Sequence, residues 1–272
     1  MRALVRACHP EPTIAVTAIT TVLAISVGRG VRGCVLVALA VLAGQLSVGW
    51  SNDWIDARRD RLALRSDKPV VTGDLTATTL QRAAFIAAVV CVPLSLASGL
   101  AAGVVHVVAV ASAWAYNLRL KSTVMSWLPY AVSFGLLPAF VTLGLPTPAW
   151  PPAWAIASGA LLGIGAHLAN VLPDIEGDRR LGINGLPQRL GSTRTRLLAP
   201  FPLALATLLL VFGPPGPVRP VEWIGVGLVA SGLVVLVFDN SANGTSRRAF
   251  SITIGIAAVD VLLFVLSGSS LT

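Results

Sequence analysis

Apolar stretches long enough to matter to a bilayer return again and again along this chain. Nine can be marked, at about 13–28, 33–50, 80–99, 101–117, 127–145, 154–172, 197–213, 221–238 and 248–267. A hydrocarbon core of about 30 Å calls for roughly 20 helical residues, and inside lipid a backbone must satisfy its own polar groups. Of the 272 residues 55% are hydrophobic and only 12% charged, about half the charged share of a soluble domain. The expected fold is all-α: a polytopic membrane protein forming a single transmembrane domain over 1–272, with about nine helices around a central cavity. Several stretches are short for a full span, so some helices are expected to begin or end inside the protein. The first follows Arg2 and Arg6 as a signal peptide would, but no small-x-small cleavage site follows it, and it is read as a helix.

Charge supplies the orientation. Of twenty Lys and Arg, all but Arg29, Arg32 and Arg219 fall at the N-terminus or after the second, fourth, sixth and eighth stretches. The positive-inside rule then puts the N-terminus and these loops in the cytoplasm and the C-terminus on the opposite side. Topology and contact with anionic lipid account for the net charge of +8 without nucleic acid. Cys8, Cys34 and Cys91 are scattered, form no CxxC and read as small core residues. Gly99, Gly103, Gly135, Gly159, Gly163 and Gly165 are expected to let helices pack closely.

The same polar arrangement interrupts the apolar sequence twice. Asn52-Asp53-x-x-Asp56-x-x-x-Asp60 follows the second stretch, and Asn170-x-x-x-Asp174-x-x-x-Asp178 follows the sixth. At the same offset of 118 residues, Arg61 matches Arg179, Pro69 matches Pro187 and Gly73 matches Gly191. Four stretches separate the copies, so both face one side and run in one direction, as in a parallel repeat of two similar helix groups.

On a helix, Asp53, Asp56 and Asp60 fall within about 60° of one another, and Asp174 and Asp178 within about 40°. Each set presents carboxylates on one face, the oxygen ligands that Mg²⁺ prefers; Asn52 and Asn170 add a neutral oxygen or orient an acid. Glu176 falls on the opposite face and reads as a salt-bridge partner. Solvated loop acids balancing arginines are the plain alternative, yet eight of the twelve acids lie in the two polar stretches that carry the motifs, Trp50 to about Leu80 and Pro173 to about Arg196. Lys68, Arg119, Lys121, Arg179, Arg180 and Arg189 share the same layer and could offset a diphosphate held with Mg²⁺. No Walker A loop and no GxGxxG before a helix is present, so nucleotide use is not indicated.

These motifs resemble the UbiA superfamily of intramembrane prenyltransferases, which carries NDxxDxxxD after its second helix and DxxxD after its sixth. The segment Lys68-Pro-Val-Val-Thr-Gly73 resembles the family's basic-Pro-x-x-x-Gly stretch, and Tyr116 with Arg119 and Lys121 resembles its tyrosine and basic residue beyond the fourth helix. Two departures stand out. Val171 replaces a second acid that many relatives carry, and Lys121 lies five rather than four residues past Tyr116, so Arg119 and Lys121 compete for one role.

The resemblance implies Mg²⁺-dependent transfer of a prenyl group from a polyprenyl diphosphate to a small acceptor, with release of diphosphate. An aromatic, quinone-type precursor is the first expectation; a sugar phosphate, a tetrapyrrole or a specialised metabolite are the others. Asn52, Asp53 and Asp56, with Asp60, would hold one metal, and Asp174 and Asp178 the other. Lys68, Arg119, Lys121 and Arg189 would bind diphosphate; Asn170 is a further substrate-binding candidate. Tyr116 would hydrogen-bond the diphosphate or face the developing cation.

Outside the motifs, His106 is expected to be a hydrogen-bonded core residue, and His167 a core residue or an acceptor-binding one. Asp260, deep in the last stretch, is expected to pair with another helix. Two other functions compete with this reading. A CDP-alcohol phosphotransferase would need a continuous DGxxAR…GxxxDxxxD signature, which is missing. A transporter would place its ion sites near the bilayer midplane rather than in loops.

Overall fold

The computed structural model describes residues 2–238 and 245–272; residues 239–244, between the eighth and ninth stretches, and the side chains of 237–250 lie outside the described residues. All regular structure among the described residues is helical. In order these are α1 (Arg2–Ala7), α2 (Pro10–Ser26), α3 (Val31–Leu62), α4 (Pro69–Thr72), α5 (Ala77–Leu96), α6 (Leu100–Leu118), α7 (Leu128–Gly135) and α8 (Leu137–Thr142). There follow α9 (Ala153–Val171), α10 (Ile175–Arg180), α11 (Leu186–Leu190), α12 (Ser192–Leu198), α13 (Pro200–Phe212), α14 (Pro220–Phe238) and α15 (Thr245–Leu266).

Six helical runs among the described residues are long and apolar enough to cross a membrane: Val31–Leu62, Ala77–Leu96, Leu100–Leu118, Val124–Thr142, Ala153–Arg180 and Ser192–Phe212. Pro10–Ser26, Pro220–Leu236 and Ser251–Leu266 are apolar but shorter.

Two local expectations need correcting. The polar stretch from Trp50 is not a loop at its start: α3 runs unbroken for 32 residues to Leu62 and carries the whole first acidic motif. Nothing between Trp50 and Leu62 breaks a helix, since neither Gly nor Pro occurs there. The stretch 127–145, in contrast, is not one helix. A 3₁₀ turn, Val124–Trp127, leads into α7, which ends at Gly135, and α8 restarts with Pro138 in its first turn. Proline has no N–H to donate to the preceding turn and fits only near a helix start.

The helices close around a central space. α3 packs on α2, α5 and α6; α9 packs on α7, α13 and α15; α15 in turn meets α2, α13 and α14. Gly159 and Gly163 press α9 onto the carbonyls of Phe134 and Tyr130, where a Cβ would not fit. Between α5 and α6, His106 Nδ1 and Ser95 Oγ are 2.7 Å apart, and the imidazole stacks on Phe140 with centroids 4.4 Å apart. Asp260 of α15 accepts from Thr207 Oγ1 of α13 at 2.5 Å, a cross-helix link inside the apolar layer. At the end remote from the acidic motifs, the buried Arg29 guanidinium donates to the carbonyls of Ser98, Phe140 and Val141 at 3.3–3.5 Å.

Candidate functional site

The last turns of α3 build one wall. Asn52 donates from Nδ2 to Asn117 Oδ1 at 3.1 Å, while Asn117 Nδ2 reaches Val48 O and Ser51 Oγ. Asn117 thereby fixes which way the Asn52 amide points and leaves its Oδ1 as a free acceptor. Asp56 Oδ1 is shared by Arg59, three residues on, and Lys121, whose Nζ lies 2.5 Å away. Burial pushes the Lys121 ammonium below its ordinary pKa, against the raising pull of Asp56.

Asp53 is held differently. It is 1% exposed, and its Oδ1 receives Lys68 Nζ at 2.7 Å and contacts His9 Nε2 at 2.9 Å. His9 sits just ahead of α2 with φ of 55°, a left-handed backbone that a non-glycine residue adopts only under constraint. The constraint is visible at Gly49, where any Cβ would strike the Cys8 backbone. No motif signals His9 in the sequence, and Asn117 is equally silent there.

The second set straddles a break. α9 ends at Val171, Pro173 lies in a 3₁₀ turn, and Asp174 and Asp178 follow on that turn and on α10. Gln188 of α11 donates to Asp178 Oδ2 at 2.8 Å. Arg65 bridges toward this set: Nε and Nη2 each lie 3.0 Å from the Asp67 carboxylate and Nη1 lies 3.7 Å from Asp174 Oδ1. The hydrogen bonds to Asp67 raise the Arg65 pKa, and the same contact lowers that of Asp67. Glu176, expected in a salt bridge, instead accepts a hydrogen bond from Ser192 Oγ at 2.9 Å.

Both sets open on one cavity of about 980 Å³. Its polar end is lined by Asn52, Asp56, Asp60, Asn170, Asp174, Asp178, Lys68, Lys121, Arg59, Arg65, His9 and Gln188. Asp53 stays out of this lining, behind His9 and Lys68. Of the competing cations, Lys121 faces the cavity and Arg119 is exposed outside it. Arg189 is also outside, with Nε on Asn184 O at 2.8 Å; its neighbour Gln188 points in. The 3₁₀ turn Leu120–Ser122 explains the first exchange, because it alters the angular step that a continuous helix would have given.

Above the polar end stand three rings. Tyr116 meets Tyr130 edge-on at 5.2 Å and His167 at 5.7 Å, and His167 lies 4.9 Å from Tyr130. Tyr116 and Tyr130 line the cavity, whereas His167 is buried behind them with Nε2 3.1 Å from Ser126 Oγ. Gln45 lines the cavity too; Ser47 accepts from Trp114 Nε1. Beyond the rings the walls become apolar, with Val16, Ile19, Leu162, Ala257 and Phe264.

Among the described residues no three Asp, Glu, His or Cys side chains converge into a ready-made metal cage. The donor set nevertheless fits Mg²⁺, which is held by one or two carboxylates plus substrate phosphates rather than by all-protein cages. Asp53 Oδ2 and Asp60 Oδ2 are buried without a hydrogen-bond partner among the described residues, which leaves each oxygen free to take a cation or a water.

Residues 13–259 match the UbiA prenyltransferase family. The chain belongs to that family. As a UbiA prenyltransferase it is an enzyme and an integral, multi-pass membrane protein, all-α as expected from its sequence. It is similar to the bacteriochlorophyll synthase 33 kDa chain of Cereibacter sphaeroides, at 31% identity over 218 residues, spanning 73% of this chain and 68% of that protein. The fold is similar to that of a UbiA homolog from Archaeoglobus fulgidus bound to DMAPP and Mg²⁺, with a TM-score of 0.70, 17% identity and coverage of 99% and 100% of the two chains. A digeranylgeranylglyceryl phosphate synthase structure is alike to the same degree, with a TM-score of 0.71, 16% identity and 98% of each chain covered.

Proposed function

We propose that this UbiA enzyme transfers a prenyl group from a polyprenyl diphosphate, with Mg²⁺, to an aromatic acceptor of the quinone-precursor type. The observation that carries the reading is the single cavity in which two acidic sets at one end continue into an apolar shaft. A lipid with a charged head and a greasy tail is the complementary shape and chemistry. The binding of DMAPP and Mg²⁺ by the Archaeoglobus relative supports the same donor class here.

Asn52, Asp56 and Asp60, with Asp53 behind them, would hold Mg²⁺ on one wall, and Asp174 and Asp178 on the other. Bound Mg²⁺ would neutralise the diphosphate and favour its departure. Lys68, Lys121 and Arg65 would receive the phosphate oxygens, releasing their own carboxylate partners to do so. Tyr116 and Tyr130 would offer a ring face to the positive charge that develops on the allylic carbon. Apolar walls beyond them exclude water, so that the acceptor rather than a hydroxyl captures that carbon. Both acidic sets and the N-terminus would lie on the cytoplasmic side.

A second acceptor class has its own support: the 31% identity to a bacteriochlorophyll synthase chain favours a tetrapyrrole. The test is to incubate membranes containing the protein with donors of several lengths against quinone-precursor, tetrapyrrole and sugar-phosphate acceptors, and to analyse the lipid extract by mass spectrometry. A prenylated ring acceptor is expected. If no donor yields either a prenylated product or Mg²⁺-dependent diphosphate, the proposal is wrong.

A further inference from the structure

The short helix that carries Gln188 has no cap of its own. α11 runs Leu186–Leu190 with Pro187 in its first turn, and Gly185 ahead of it has no side chain to accept a free N–H. The acceptor comes from 60 residues away: Leu186 N donates to Ser126 Oγ at 3.0 Å. Ser126 is fully buried in the 3₁₀ turn Val124–Trp127, and its Oγ also lies 3.1 Å from His167 Nε2 of α9. A serine hydroxyl accepts on its oxygen and donates one proton. Taking the Leu186 N–H and giving its own hydrogen to Nε2 therefore satisfies it.

Gly185 closes the same junction. A Cβ there would strike Lys121 O and Gln188 Oε1 and crowd Ser126 Oγ, so only glycine lets these turns meet so closely. From this junction the two side chains part to opposite acidic walls. Lys121 reaches Asp56, and Gln188 donates to Asp178 Oδ2 at 2.8 Å. Gln188 is buried, and its Oε1 has no hydrogen-bond partner among the described residues. With one hydrogen bond to orient it, the Gln188 amide depends on where α11 puts it.

We propose that Ser126, braced by His167, is a positioning residue: by capping α11 it sets where Gln188 holds the Asp178 carboxylate, and so how tightly the second acidic set takes Mg²⁺ with a diphosphate. The inference rests on the Mg²⁺–diphosphate reading above and adds to it a residue that touches neither. Partners that orient a metal-binding group are worth about 10–100-fold in metal affinity. Without the Ser126 hydroxyl, the Leu186 N–H loses its acceptor and His167 Nε2 its partner in a buried junction, and unmet groups of that kind are costly. α11 shifts to find another acceptor, and Asp178 loses its fixed orientation. His167 serves here as a brace.

The experiment uses full-length protein in detergent with a labelled, unreactive thiolo analogue of farnesyl diphosphate. Its retention is followed against Mg²⁺ concentration, with no acceptor and no turnover. Ser126→Ala should raise the half-saturating Mg²⁺ concentration about tenfold, and Gln188→Leu by at least as much. The double variant should match Gln188→Leu alone, because both act along one path. Ser126→Cys, which keeps a weak donor and acceptor, should fall between and serves if the alanine variant does not fold. Thermal unfolding without Mg²⁺ separates a plain packing role. A lower unfolding temperature with unchanged Mg²⁺ dependence, or effects that multiply in the double variant, would overturn the proposal. Retention by the unmodified protein that ignores Mg²⁺, or no retention at all, would instead remove the Mg²⁺–diphosphate reading itself.

Discussion

Arg65 faces the second acidic set from the loop behind the first: its Nη1 lies 3.7 Å from Asp174 Oδ1. A cation placed between two acidic walls keeps them from repelling one another and is positioned to donate to a phosphate oxygen when substrate arrives. Arg65→Ala is expected to weaken donor binding about tenfold, the scale of one lost charge-assisted contact. Displacement of a labelled donor measures the loss.

Asp56 and Asp174 stand on opposite walls and carry the strongest catalytic expectation. Asp56→Ala or Asp174→Ala should lower diphosphate release at least about a hundredfold, as losing electrostatic stabilisation of a leaving group does. The protein should still be extracted from membranes as a folded species. Full activity in either variant would refute the assignment.

Lys121 and Arg119 give a sharper contrast. Lys121 is buried against Asp56 and Arg119 is exposed. Lys121→Ala should cut donor turnover at least about tenfold, whereas Arg119→Ala should fall within about twofold of the unmodified enzyme. Parallel kinetics with one donor decide between them, and equal losses would contradict the placement.

Mg²⁺ removal tests the fit argued from Asp53 and Asp60. Chelation should abolish diphosphate release, and restoring Mg²⁺ should recover it, since the acids and the diphosphate otherwise repel. Activity that survives exhaustive chelation would contradict a metal role for these acids.

Gly49→Ala addresses His9 without touching it. A methyl group there meets the Cys8 backbone, so the turn that presents His9 to Asp53 must move. A loss of about 1–3 kcal/mol in stability is expected, together with slower turnover. Thermal unfolding in detergent and donor kinetics read the two effects separately.

How much of this could be read from the sequence depends on what kind of signal each residue leaves. The apolar runs marked α5, α6, α9 and α13 well, because a bilayer-facing helix needs only length and greasiness to be seen. Asp56, Asp174 and Asp178 were visible through spacing, and the cavity they line joins residues 118 positions apart in the chain. The break inside 127–145 was hidden because Pro129 and Pro138 lie in a uniformly apolar run, where composition does not show a helix restarting. Lys121 and Arg119 could not be separated, since the answer lay in a three-residue 3₁₀ turn. His9 and Asn117 belong to no pattern at all; only the approach of α2 and α6 to α3 brings them to the acids.

The unbroken course of α3 has a mechanical consequence. Asn52, Asp56 and Asp60 ride a single hydrogen-bonded rod whose other end is anchored in the apolar interior, so their mutual spacing is a fixed ruler. Asp174 and Asp178 sit past Pro173 on separate short pieces tied down by Gln188. Widening or narrowing of the mouth changes the gap between the two sets and leaves the first set's geometry intact. The first wall is the datum against which the second can be adjusted.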